Sequence, residues 1–165
     1  MTITKRQRRW RVGFVVALLI AGHFYLRPWV GGKAAPDLLM LALMLVAIRS
    51  RPGTAAVAGF LIGLAADALT PARFGAGALS HTIVGYLAAW GRAVFFPDNL
   101  LVNAGLFAAG VWARTLILLV ASGASAGELA GSLLVWAPLQ AVSTAIVGVI
   151  VVLMFRDWLA IRLDE

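Results

Sequence analysis

The sequence predicts an all-α fold, a polytopic membrane protein built as a bundle of six helices. Of its 165 residues, 62% are apolar and only 13% are charged, whereas soluble domains are roughly 45–50% apolar and about 25% charged. The mean hydropathy is +0.93, and a chain this short cannot enclose so much apolar surface in a core of its own. Proline, glycine and charged residues also divide it into six apolar segments. These observations indicate that the chain lies in a lipid bilayer.

The positions of these breaks define the predicted helices, since a helix needs about 20 residues to cross the hydrocarbon core. The first segment follows a basic run, as the apolar part of a signal peptide does. The small residues Ala34 and Ala35 after it are followed by Pro36, which is a poor context for cleavage, so we expect a retained helix. The last segment contains Pro138, where we expect a kink. The predicted segments are residues 11–29, 36–48, 54–69, 76–90, 100–120 and 128–155.

The second segment is too short to span a bilayer alone. Residues 36–48 rise only about 20 Å as a helix, against about 30 Å for the hydrocarbon core. Either the bilayer thins locally, or the polar flanks of the segment are buried in protein. The sequence leaves both alternatives open.

Basic residues predict the orientation. With the amino terminus inside, ten Lys and Arg residues lie on inner flanks and three on outer flanks, which by the positive-inside rule favours two cytoplasmic termini. We therefore divide the chain into a basic cytoplasmic flank (1–10), a transmembrane domain (11–155) and a cytoplasmic tail (156–165).

Composition argues against several classes of function. The chain has no cysteine and two histidines, and it contains no phosphate-binding glycine loop, zinc helix or dinucleotide fingerprint. We expect no metal, no cofactor and no catalytic residue. The net charge of +7 is concentrated before the first apolar segment, a pattern typical of contacts to anionic membrane lipids rather than to nucleic acid.

Four ionisable residues fall at similar depth in the outer half of the predicted bundle, and they form the candidate polar cluster. Intramembrane charges usually face the bundle interior and pair with one another. Two interpretations are open. The cluster either forms a proton path or a ligand pocket, or it is structural, and the two acids then neutralise the arginine. The structural interpretation is favoured because no internal repeat of broken helices is present. These residues are Asp37, Asp67, His81 and Arg114.

Small residues recur at steps of four on two successive segments. Gly59 and Gly63 share a helix face with Asp67, and Gly77 and Gly85 share a face with His81. Glycine at this spacing lets helix backbones approach closely in a membrane. We expect these faces to serve in helix packing and as a docking surface for a partner's membrane helix.

The stretches APDLLMLALMLVAIRSRPG (35–53) and GFLIGLAADALTPARFGAGALSHTIVGYLAAWGR (59–92) resemble the bacterial rod shape-determining protein MreD family. One departure is Ala66, where the family often has glutamine. The residues that carry the resemblance are Pro36, Asp37, Gly59, Phe60, Gly63, Asp67, Gly85 and Tyr86.

The resemblance implies a non-enzymatic, multi-pass subunit of the elongation (rod) complex in the bacterial inner membrane. Such a subunit would bind MreC, act with MreB and with RodA and its penicillin-binding-protein partner, and help direct lateral peptidoglycan synthesis and cell shape. It also implies a fold similar to the S components of energy-coupling-factor transporters. The alternative is therefore a membrane-embedded substrate-binding subunit of a vitamin or small-solute transporter.

Overall fold

The computed structural model describes residues 5–30, 32–68, 70–71, 74–94 and 100–159. These residues form helices and no strand, and the prediction of a six-helix membrane bundle is confirmed. The last of the six is composite, because a π-helical turn joins two α-helices without a break. The helices are α1 (Lys5–Val30), α2 (Leu38–Ala47), α3 (Pro52–Asp67), α4 (Ala76–Val94), α5 (Leu100–Ala121), α6 (Ala126–Gly131), the π turn (Ser132–Trp136) and α7 (Ala137–Leu159).

Two helices are long and apolar enough to cross a membrane unaided, namely Leu101–Ala121 and Ala126–Phe155. The first helix begins at Lys5, inside the basic run that the sequence assigned to a flank. Residues 1–4 and 160–165 of the predicted flank and tail lie outside the described residues. The likeness to S components of transporters stays a prediction.

The second helix lies at the centre of the bundle. It has only ten residues, LLMLALMLVA, and it contacts α1, α3, α4, α5 and α7. A helix that is apolar on every face is typical of complete burial, and each side chain from Leu39 to Leu45 is at most 1% exposed. The helix itself is therefore buried in protein, and so is Asp37 before it, as the second of the two sequence alternatives requires at this end. After the helix, Arg49 and Ser50 are half-buried and Arg51 is exposed.

The closest helix pair is α3 and α4, which run antiparallel. A Cβ added to Gly59 would collide with the His81 carbonyl oxygen, and one added to Gly63 would collide with the backbone at Gly77. A step further along, a Cβ on Gly85 would lie 2.7 Å from the Ala55 carbonyl oxygen. The two predicted glycine faces thus pack on each other. This corrects the expectation that a partner's helix docks on them, because the chain's own helices already occupy both faces.

The sixth helix is irregular just before Pro138. Proline has no N–H to donate, and its ring clashes with the carbonyl four residues earlier, here that of Leu134. The chain adopts a π turn over Ser132–Trp136 at this point, with the Ala137 N–H bonded to the Ser132 carbonyl. Trp112 Nε1 of α5 donates to the Leu133 carbonyl oxygen at 3.2 Å. The kink expected at Pro138 stays a prediction; the structure has a π turn just before it, and a hydrogen bond ties this turn to the neighbouring helix.

Replacing Gly63 by alanine should destabilise the protein by about 1–3 kcal/mol, since the added methyl group meets backbone atoms that cannot move independently. Gly105→Ala in α5 is the matched control, because nothing lies within 4 Å of its added Cβ. Alanine is also the better helix former there, by up to about 1 kcal/mol. Thermal unfolding in detergent checks both variants, and equal unfolding midpoints would contradict the close approach of α3 and α4.

Candidate functional site

The buried end of the central helix is built around Asp37. This residue is the N-cap of α2, and its Oδ1 accepts a hydrogen bond from the Met40 N–H at 3.1 Å. The Asp37 N–H in turn donates to Thr144 Oγ1 of α7 at 2.9 Å. Asp37 is 3% exposed, and the partial positive charge of a helix N-terminus stabilises a carboxylate there. The Asp37 side chain thereby accepts from the Met40 N–H, which as part of the first helical turn has no hydrogen-bond partner within the helix.

Two cationic or potentially cationic side chains approach this carboxylate from other helices. Arg114 Nη1 of α5 lies 3.6 Å from Asp37 Oδ2, and His23 Nδ1 of α1 lies 3.9 Å from Asp37 Oδ1. The His23 ring also meets the edge of its neighbour Phe24. Burying a carboxylate without a cationic partner costs folding free energy. Arg114 therefore offsets the negative charge of Asp37, the residue that caps the N-terminus of α2.

The connection between α1 and α2 is held by one polar face of α7. Ser143 Oγ donates to the Ala34 carbonyl oxygen at 2.7 Å, and Gln140 Nε2 donates to the Ala35 carbonyl oxygen at 3.1 Å. Together with Thr144, these residues are spaced i, i+3 and i+4, which places them on one side of a helix. Irregular backbone inside a membrane protein needs such partners, because lipid offers none.

Asp67, the last residue of α3, plays a similar part for the start of α4 at Ala76, nine residues further along the chain. Its Oδ2 accepts from the Gly75 and Ala78 N–H groups, each at 2.9 Å, and its Oδ1 accepts from the Gly77 N–H at 3.0 Å. Gly75 has φ of +94°, a conformation that glycine adopts without strain. Gly77 is required for a different reason, since a Cβ there would collide with the carboxylate. Asp67 therefore caps a buried helix from the preceding one.

His81 and Ser80 are both fully buried, and both bond to the same backbone atom. Ser80 Oγ donates to the Gly77 carbonyl oxygen at 2.9 Å, and His81 Nδ1 lies 2.8 Å from it. Because a carbonyl oxygen only accepts, Nδ1 carries a proton. His81 Nε2 has no hydrogen-bond partner within the described part of the chain. The hydroxyl and the imidazole are thus not arranged as a nucleophile and its base.

The four residues of the candidate polar cluster divide into two groups. Asp37 and Arg114 form an ion pair, and His81 lies near enough to both of them, and to Asp67, for electrostatic interaction. The carboxylate of Asp67 is engaged by backbone amides instead. The expectation that both acids neutralise Arg114 is therefore corrected in favour of Asp37. Sequence reasoning missed the proximity of His23 to this pair, although a histidine inside an apolar segment was a signal for it.

The residues of the family resemblance also divide by burial. The glycines and the two acids are buried in the packing just described, and Pro36 is half-buried. By contrast, Phe60 and Tyr86 are each 48% exposed. Within the described residues, no group of three or more histidine, aspartate or glutamate side chains could hold a metal ion.

Comparison with protein families finds one described as rod shape-determining protein MreD, whose model matches residues 5–159. No curated protein and no solved structure matches the chain. The match covers all six helices.

Arg114→Gln should lower the free energy of unfolding by about 3 kcal/mol, because it leaves the buried Asp37 carboxylate without its cation. Adding Asp37→Asn should recover part of this loss, since no buried charge then remains. Arg51→Gln is the control, as the Arg51 side chain is exposed and such changes usually stay within about 0.5 kcal/mol. Thermal unfolding of the single and double variants checks the coupling. Strictly additive effects would contradict it.

Asp67→Asn should destabilise the protein by about 1–3 kcal/mol, because an amide has only one oxygen to replace two that accept from buried N–H groups. Glu128→Gln provides the comparison, since Glu128 caps α6 in an exposed capping box with Ser125 and should cost less than about 1 kcal/mol. Hydrogen exchange at Gly77 and Ala78 reports directly on the cap. Unchanged exchange there in Asp67→Asn would show that the carboxylate does not hold α4.

Proposed function

Because the chain belongs to the MreD family and so takes part in determining rod shape, we propose that it is a non-enzymatic, multi-pass subunit of the elongation complex. In this proposal it lies in the bacterial inner membrane with both termini in the cytoplasm and binds MreC directly. MreB, RodA and the penicillin-binding-protein partner of RodA belong to the same complex. The family match over residues 5–159 is the observation that carries the proposal.

The use of the polar residues supports a scaffolding role over transport or catalysis. Asp37 is engaged by a helix N-terminus and Arg114, and Asp67 by three backbone amides. Intramembrane charges that serve a transport path usually line a cavity or pair along a relay. Here both carboxylates hold helix ends in place, which favours a rigid bundle that recognises its partner through its outer surface.

We place the MreC contact on exposed residues of α3 and α4 rather than on the glycines. Phe60 and Tyr86 carry the family resemblance, yet about half of each side chain is free of contacts within the chain. Aromatic side chains are enriched where proteins bind partners. The two rings therefore offer the membrane helix of MreC contacts that the fold of this chain does not itself use.

Phe60→Ala and Tyr86→Ala should each reduce capture of full-length MreC from detergent extracts and should make rod-shaped cells rounder, while the protein remains folded. The expected loss is about tenfold, equivalent to about 1.4 kcal/mol. Phe14→Ala is the matched control, because Phe14 of α1 is also an exposed aromatic residue.

Wild-type capture of MreC by both variants would contradict this contact. Failure of the unaltered protein to capture MreC would contradict the binding proposal itself. Proton or solute flux through vesicles that contain only this protein, and its loss in Arg114→Gln, would favour the transporter alternative.

A further inference from the structure

An apolar groove of about 270 Å³ lies between α4 and α5. On α4 it is lined by Val84, Leu87, Ala88 and Gly91. These positions are spaced i, i+3, i+4 and i+7, so they form one continuous face of the helix. Two of the four are alanine or glycine, which leaves space beside the helix.

The opposite wall on α5 has the same spacing. It consists of Leu106, Ala109, Gly110 and Ala113, of which three are alanine or glycine. Two such small-residue faces usually pack directly against each other in a membrane, yet these two leave a space. The space is a groove that is open on one side, and not a void enclosed in the core.

Met44 of the central helix explains why the groove stays open. Its methyl group lies where a Cβ on Gly110 would be, so α5 already touches α2 at its smallest residue and cannot move closer. Met44, Val84 and Ala88 form the buried bottom of the groove, at 1%, 3% and 6% exposed. Leu87 and Trp90 stand at its edge, at 51% and 57% exposed. The groove therefore opens sideways, toward the lipid.

Size and chemistry select the occupant. Every lining residue is glycine or carries an apolar side chain, so a polar solute would lose its hydrogen bonds on entering. A whole helix does not fit inside the groove and would only rest across its opening, since one turn about 10 Å wide and 5.4 Å long fills roughly 400 Å³. An apolar cavity of about 150 Å³ holds a benzene ring. The groove accordingly has room for a linear hydrocarbon of roughly ten carbons.

We propose that the groove between α4 and α5 is a binding site for one acyl chain of a membrane phospholipid. The acyl chain lies between Ala88 and Ala109 and reaches Met44. There it contacts side chains of α4 and α5 that the two helices cannot bring into contact with each other. This lipid is a resident part of the bundle, distinct from the lipids that exchange freely around the outer surface.

Photo-crosslinking tests the site with the full-length protein in bilayers that contain a phospholipid with a diazirine in the middle of one acyl chain. Mass spectrometry should find labelling of peptides that contain residues 84–91 and 106–113 above that of the lipid-facing residues of α7. In Ala109→Phe the groove labelling should fall about fivefold, because the ring fills the space of the chain. Native mass spectrometry should show one retained phospholipid fewer.

Ala17→Phe is the matched control, because Ala17 is an exposed alanine of α1 away from the groove, and its labelling should equal that of the wild type. Ala113→Leu provides a second filling variant should Ala109→Phe fail to fold, as judged by thermal unfolding. Groove labelling that is unchanged in a folded filling variant would overturn the proposal. Retention of a second protein chain, instead of lipid, on residues 106–113 would also overturn it.

Discussion

The central helix is too short for the membrane that surrounds it, and the rest of the bundle is arranged around this constraint. Ten residues of α2 rise about 15 Å, so the end at Asp37, which is 3% exposed, lies where lipid offers no hydrogen bonds. Apolar side chains gain little by leaving lipid. The N-terminal end of α2, more than its side chains, therefore determines its central position, and Asp37, Arg114 and Thr144 gather where that end needs partners.

The same physical problem recurs where α3 gives way to α4, and it is solved in a similar way. There too a buried carboxylate, that of Asp67, accepts from the N–H groups of a helix N-terminus. The glycines on the two faces make this possible, because a Cβ at Gly59, Gly63 or Gly85 would collide with the backbone of the facing helix. Asp37 and Asp67 thus each accept hydrogen bonds from backbone N–H groups to which lipid offers no acceptor. A bundle whose charges are committed to its own helix ends recognises partners through its outer surface, as the proposed scaffolding role requires.

The sequence predicted the periodic features well and the long-range ones poorly. Steps of four between Gly59 and Asp67 were enough to place those residues on one helix face, since helical periodicity is local. Which acid meets Arg114 could not be predicted, because the depths of Asp37 and Asp67 are alike and only packing distinguishes them. The choice between a thinned bilayer and buried flanks was also undetermined, as it depends on Thr144, 107 positions from Asp37. Pro138 led us to expect a kink, and it did not predict the π turn before it, which accepts a hydrogen bond from Trp112.

The enclosure of α2 by protein is the central claim, and lipid-phase footprinting of the unaltered protein tests it most directly. A small apolar diazirine dissolved in the bilayer labels side chains that face lipid, and mass spectrometry locates the labelled residues. Labelling is expected along the exposed face of α7, at Val142 and Ile146, and none at Leu39–Leu43, which are at most 1% exposed. Labelling of Leu39–Leu43 at the level of Val142 would contradict it, because the short helix would then face lipid with its ends unsupported.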